Sequence, residues 1–228
     1  MSRLSLRAVL CVVAVGAVSS AQAGTDWSGL YLGANVGGAW GTADEFYPVG
    51  AGGTPLTIDT DGVAYGAHAG YQMQKGAIVI GFEASFGDTT LEGANSADPL
   101  LISCRDGIVV CRVTDVESLT TVGTRLGYAT EQWLLTASGG FAGADITTDA
   151  VIVATGLADV KDSVWHNGWY LGAGAEYAIA PDWSVGLEYL HVDLGEQRHG
   201  DIYVAGNRRD VEFEMDVVRA RLSFKLTD

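Results

Sequence analysis

Residues 165–195 read WHNGWYLGAGAEYAIAPDWSVGLEYLHVDLG. Taken with period two, Trp169, Leu171, Ala173, Ala175, Tyr177 and Ile179 share one face. Tyr170, Gly172, Gly174, Glu176 and Ala178 share the other. The second half repeats the pattern: Trp183, Val185, Leu187 and Tyr189 oppose Ser184, Gly186 and Glu188. Side chains alternate across a strand, so this is a pair of strands, each apolar on one side and small or polar on the other. Ala180-Pro181-Asp182 supplies the tight turn between them. Aromatics end the apolar faces, and glutamates sit in the middle of the opposite faces. A soluble sheet has no use for carboxylates there. A membrane barrel does: the apolar face meets lipid, the other lines a lumen, and the end aromatics form interfacial girdles.

Working outward, the same alternation recurs. Residues 27–41 give a first strand, about 61–73 a second and 77–87 a third, with Ile78, Ile80, Phe82, Ala84 and Phe86 outward and Gly81, Glu83 and Ser85 inward. The fourth, about 116–129, turns Thr121, Gly123, Arg125 and Gly127 inward, and the fifth spans about 132–144. The last, about 211–226, carries Val218, Ala220, Leu222, Phe224 and Leu226 on one face, which turns Arg219 and Arg221 inward. Its earlier part, with Glu212, Glu214 and Asp216, does not keep that parity, and either a bulge or a water-exposed extension accounts for it. The count is eight. Short turns alternate with four long connections, at about 42–60, 88–115, 145–164 and 196–210. An even strand number, short turns at one end and long loops at the other describe an all-β, eight-stranded, antiparallel up-and-down transmembrane barrel. It must close, because lipid cannot satisfy an open sheet edge.

Composition agrees. The chain has 228 residues with 31 glycines and 4 prolines, and a positive mean hydropathy despite a formal charge of −15. That acidity argues against a nucleic-acid partner, which needs a basic patch. Residues 1–23 have the layout of a secretory signal: Arg3 and Arg7, an apolar run from Ala8 to Val18 too short to cross a bilayer, and Ala21-Gln22-Ala23 before the expected cleavage. Residues 24–228 then form the barrel domain. Without Arg3 and Arg7 the remainder carries 11 basic and 28 acidic residues, a net of −17. Cys104 and Cys111 are the cysteines left in that exported domain. A disulfide closing a small loop is the expected use, since two cysteines without nearby histidines make a poor zinc site.

Four segments, WSGLYLGANVGGAWG (27–41), TVGTRLGYA (121–129), GWYLGAGAEYAIAPDWSVGLEYLHVDLG (168–195) and VVRARLSFKL (217–226), together resemble the small porin-family barrels of alphaproteobacteria, often called outer-membrane immunogenic proteins. These in turn are similar to the OmpA transmembrane barrel. The resemblance implies an integral protein of the Gram-negative outer membrane. Its partners would be outer-membrane lipid and lipopolysaccharide, with the barrel-assembly machinery during insertion; it implies no particular oligomer. Leu226 stands where such barrels carry a terminal aromatic.

The inward face assembles Glu83, Arg125, Glu176, Glu188, Arg219 and Arg221. Three acids and three bases in a lumen just wide enough for side chains predict an ion-pair plug. Glu176 and Glu188 fall nearly opposite each other across the hairpin, which repels unless an arginine lies between. Such a plug is either a static seal or the gate of a narrow pore. His68 is expected inward and His191 outward, with His166 and His199 in or beside loops, where they could ligate haem iron. No cofactor, metal or catalytic motif is expected: phosphate-loop, dinucleotide and HExxH patterns are absent. Three function classes follow: a small porin-like channel, an envelope structural protein, or a loop-borne receptor for haem or for adhesion.

Overall fold

In the computed structural model, residues 24–46, 56–96, 110–152, 157–200 and 208–226 are described. They form eight strands: β1 (Gly29–Phe46), β2 (Leu56–Lys75), β3 (Ile78–Ser96), β4 (Val110–Ala129), β5 (Trp133–Ile152), β6 (Leu157–Ala180), β7 (Trp183–Gly200) and β8 (Arg208–Leu226). Each pairs antiparallel with its neighbours, and β1 pairs with β8 from Leu30↔Leu226 to Phe46↔Asp210, so the barrel is closed. Following cross-strand partners once around from Tyr31 passes Gly70, Glu83, Gly123, Gly140, Tyr170, Val192 and Met215 and returns at Gly41. The stagger is therefore ten residues (41 minus 31), the tilt that lets a narrow barrel shut.

The strands are longer than the alternation of apolar residues predicts. They run 18 to 24 residues, where about ten cross a bilayer. A 20-residue strand rising about 3.3 Å per residue and tilted by about 40° stands roughly 50 Å high, twice the apolar band of about 25 Å. The long loops expected at 42–60, 88–115, 145–164 and 196–210 are thus largely strand. Residues 47–55, 97–109, 153–156 and 201–207 lie outside the described residues. So do residues 1–23 and Cys104, which leaves the predicted signal and the predicted Cys104–Cys111 disulfide there too; Cys111 itself is the second residue of β4, opposite Ser96.

The two halves have opposite chemistry. In the lower half the outside is apolar, with Phe82 67 % and Leu187 65 % exposed, rimmed below by Tyr128, Trp133 and Trp183 and above by Trp40, Phe141, Trp169 and Tyr189. This is the membrane-spanning belt. Above it the outside turns acidic, with Asp61, Glu92, Asp193, Glu212 and Glu214 pointing out. The inside turns apolar: Ile58, Leu91, Val116, Ile146, Leu194 and Phe213 are fully or almost fully buried in one cluster. The barrel is a membrane barrel below and a water-soluble barrel above. The early part of β8 is accordingly the water-exposed extension. Its register with β1 runs unbroken from Asp210 to Leu226, and Glu212 and Glu214 keep the outward parity of Val218.

The short turns lie at the end of the termini, which is the periplasmic side by the barrel rule. Gly76, at φ 63°, supplies the left-handed residue of the β2–β3 turn. Gly195, at φ 60°, sits in the β7 bulge where register with β8 jumps between Asp193 and Glu196. That bulge inverts parity for the rest of β7, with consequences for His199.

Candidate functional site: the charged layer of the lumen

All six charged residues picked from the sequence face one another inside the belt. Arg221, on β8, is the hub. Its guanidinium donates to Glu83 of β3 through Nη1–Oε1 (2.9 Å) and Nη2–Oε2 (2.5 Å). Nη1 also donates to Glu188 Oε2 (2.8 Å), and Nε lies 3.6 Å from Glu176 Oε1. Arg219 reaches Glu188 through Nε (2.8 Å) and donates from Nη1 to Ser85 Oγ (3.1 Å). Arg125 donates from Nη2 to Glu176 Oε1 and approaches Glu83 Oε2 (3.7 Å). Tyr31 donates to Glu83 (2.7 Å) and Ser184 to Glu176 (3.3 Å). Three carboxylates and three guanidiniums leave the layer neutral. Burial of such charges is tolerated only when each is paired and hydrogen-bonded.

Glu176 and Glu188 are not opposite each other. Each faces a glycine across the hairpin, Gly186 and Gly174, so the two are diagonal with Arg221 between. Each charged residue of the layer has a glycine opposite it on at least one neighbouring strand. Glu83 pairs with Gly70 and Gly123, Arg125 with Gly81, Arg219 with Gly37 and Arg221 with Gly186. On the other side of the two hairpin acids the partners are longer, Arg219 for Glu188 on β8 and Leu134 for Glu176 on β5. Inward glycines leave room for each to lie across the lumen. A Cβ on Gly70 would stand 2.4 Å from the Tyr31 hydroxyl, and one on Gly186 2.6 Å from Glu176 Cγ.

Apolar side chains cover the layer above and most of it below. Above it, Tyr170 begins the apolar cluster of the upper half. His68 is inward, as expected, with Nε2 2.9 Å from Ser223 Oγ. Below it, Trp27, Val79, Ala129, Leu134 and Ala178 fill the periplasmic mouth. Trp27 was expected on the first strand; it precedes β1 and its ring enters the lumen. A cavity of about 30 Å³, half open at the periplasmic rim beside Asp26, Asp182 and Lys225, reaches in to Arg125 and Glu176.

His166 and His199 correct the sequence reading. Both are on strands, fully buried, and their Nε2 atoms are 2.8 Å apart in the upper half. His166 shares parity with Tyr170 and Glu176, a signal present in the sequence. His199 would point outward by unbroken parity along β7, and the Gly195 bulge turns it in. His191 is outward, 3.0 Å from Asp216, which also accepts from Tyr189 (2.6 Å). Among the described residues no group of three or more His, Cys, Asp and Glu is arranged to hold a metal.

Comparison with known families gives the decisive match. A model of the outer membrane protein β-barrel domain covers residues 8–219. The chain belongs to this outer-membrane barrel family. It is 32 % identical over 214 residues to the 31 kDa outer-membrane immunogenic proteins of Brucella melitensis and Brucella suis, covering 87 % of this chain and 83 % of each of those. Its place is therefore the outer membrane of a Gram-negative bacterium. Among solved structures it is similar in fold to AlkL (TM-score 0.52, 13 % identity, 94 % of this chain and 98 % of that one) and OprG of Pseudomonas aeruginosa (0.51, 11 %, 89 % and 99 %). It is also similar to the protease OmpT of Escherichia coli (0.50, 11 %, 87 % and 97 %). At these identities the likeness is one of fold alone.

Proposed function

We propose that this outer-membrane barrel is an envelope structural protein with a closed lumen, presenting a rigid barrel extension and its loops at the cell surface. The observation that carries this reading is the neutral charged layer centred on Arg221, each charge set against an opposite one, packed between an apolar base at Trp27 and an apolar cluster above Tyr170. An open pore of this diameter would need an unfilled, hydrated axis, and here side chains occupy it. The small porin-like channel remains the rival, with the charged layer as its gate. The haem-receptor reading loses its ligands, because His166 and His199 are internal and bonded to each other. The name of the Brucella relatives, immunogenic, accords with a chain displayed at the surface. This reading is non-enzymatic.

The test is a deletion strain. Loss of the chain should sensitise cells to detergents and large antibiotics, and the wild-type chain should restore resistance, with uptake of small hydrophilic solutes unchanged. Slower solute uptake with an intact permeability barrier would instead establish the channel.

A further inference from the structure

Residues 24–28 belong to no strand, yet they are tied across the periplasmic mouth. Thr25 N donates to Glu131 O (2.8 Å) in the β4–β5 turn. Trp27 N donates to Gln74 Oε1 (2.8 Å) at the end of β2, and Gln74 N donates to Ser28 Oγ (3.0 Å). Lys225 Nζ on β8 donates to Asp26 O (2.8 Å). The anchors come from three places around the rim, and one of them, the β4–β5 turn, is remote from β1 in the strand order. The segment is a strap, held by single hydrogen bonds instead of a ladder. Its one large apolar group, the Trp27 ring, is 5 % exposed and plugs the base.

Beside the Trp27 ring is the cavity of about 30 Å³, half open at the rim past Asp26, Asp182 and Lys225 and reaching Tyr31, Gln72, Arg125, Glu176 and Ser184. Three of these residues carry a buried polar atom with no hydrogen-bond partner: Trp27 Nε1, Gln72 Oε1 and Arg125 Nε. Buried polar atoms are costly when unpaired, and three on residues that line one cavity point to a shared guest, reached by a small rotation of each side chain because none of the three atoms is itself open to the cavity. Its chemistry is constrained. Two N–H groups need an acceptor, while a carbonyl oxygen needs a donor. An anion would face Gln72 Oε1 and the Glu176 carboxylate. A cation would face the indole and guanidinium N–H groups. Water accepts and donates, and the volume suits one or two molecules.

We propose that the strap is a partial lid over a water site in the periplasmic mouth, and that this lid controls access from the periplasm to the charged layer. The lid rests on the closed-lumen reading only in giving the layer something to be shielded from. It explains why the strap places a tryptophan, whose indole N–H reaches a polar guest from an apolar ring, at the mouth.

Two measurements test it. In the first, Ser184→Cys is introduced into a refolded chain whose Cys104 and Cys111 are replaced by serine, and its reaction with a small charged methanethiosulfonate is followed by mass. Modification should be slow, and Trp27→Ala should speed it by about tenfold or more, because the ring no longer narrows the path from the rim to the thiol. Heat-modifiable gel migration confirms that both variants are folded barrels. Equal rates with and without Trp27 would overturn the lid. In the second, the indole N–H of Trp27 in the otherwise unaltered chain is observed by NMR. Cross-relaxation with water is expected, and an indole proton showing none would overturn the water site. Ion conduction by a wild-type chain whose Ser184→Cys counterpart stays protected by Trp27 would defeat the closed lumen and leave the lid standing.

Discussion

Arg221 and Glu83 form a two-pronged ion pair across the lumen, from β8 to β3, at 2.9 and 2.5 Å. Planar guanidinium meets planar carboxylate, the geometry that makes arginine preferable to lysine in a buried pair. Because Glu188 and Glu176 also lie against Arg221, one cation serves three acids. Arg221→Ala should therefore destabilise the barrel more than removal of either flanking arginine. Stranding a buried charge costs about 3–5 kcal/mol. Urea unfolding of the refolded chain in lipid vesicles measures it, and Arg221→Lys should recover only part of the loss.

Gly70 should be intolerant of the smallest enlargement. Alanine ordinarily favours a strand over glycine, yet here its methyl would meet the Tyr31 hydroxyl at 2.4 Å and the Phe82 carbonyl oxygen at 2.5 Å. Gly70→Ala should lower stability by about 1–3 kcal/mol, the usual cost of overpacking. Tyr31→Phe in the same chain should relieve only part of it, because the hydroxyl goes while the ring Cζ, 2.6 Å from the added methyl, and the Phe82 oxygen stay. An additive double variant would show that the two positions do not touch.

The inversion between halves predicts opposite outcomes for the same substitution on one face of β8. Ala220 points into the lipid belt, so Ala220→Lys should cost about 2–4 kcal/mol. Glu212 points outward above the belt, directly opposite Asp44 on β1 and Glu196 on β7. Glu212→Lys replaces two like-charge neighbours with opposite-charge ones and should stabilise by about 0.2–1 kcal/mol, less at high salt. Unfolding of both variants at two salt concentrations checks this. Similar losses at the two sites would place the bilayer boundary elsewhere.

The buried histidine pair predicts acid sensitivity of the upper half. Burial, with the neighbouring His199, pushes the His166 imidazole down to about 4 from 6.5. Among the described residues, Asp162 (3.5 Å from His199 Nδ1) and Thr148 of β5 also face the pair. An unfolded histidine takes up its proton near 6.5 while the folded one resists until about 4, so the unfolded state binds more protons in that window. Stability should be intact above pH 6.5 and fall as pH drops from 6.5 towards 4. Thermal unfolding of the wild type against a His166→Gln/His199→Gln variant reads the difference. The variant should have a flatter pH profile, and identical profiles would show that the pair does not titrate in folding.

The membrane belt and its charged lumen were legible because two signals coincide there: outward side chains are apolar and inward ones are glycine or charged. The β6–β7 hairpin carries both without interruption. The upper half was not legible as strand. Its outward residues, such as Glu212 and Glu214, have the character of a hydrated loop, and the apolar inward set alternating with them reads as lost parity. His199 was hidden by the Gly195 bulge, a backbone event with only a glycine to announce it. The seating of Trp27 in the mouth was not legible either, since the strap has no periodicity and its hydrogen bonds go to residues far along the chain. The diagonal placement of Glu176 and Glu188 depends on hairpin register, which the Pro181-Asp182 turn alone does not set.

The most direct test of a closed lumen is planar-bilayer recording of residues 24–228 refolded from the wild-type chain, with Arg125→Ala and Arg221→Ala alongside. The wild type should be silent, and either substitution should produce openings in barrels that remain heat-modifiable. Steady openings in the wild type, unchanged by both substitutions, would contradict the charged layer as the seal of this barrel.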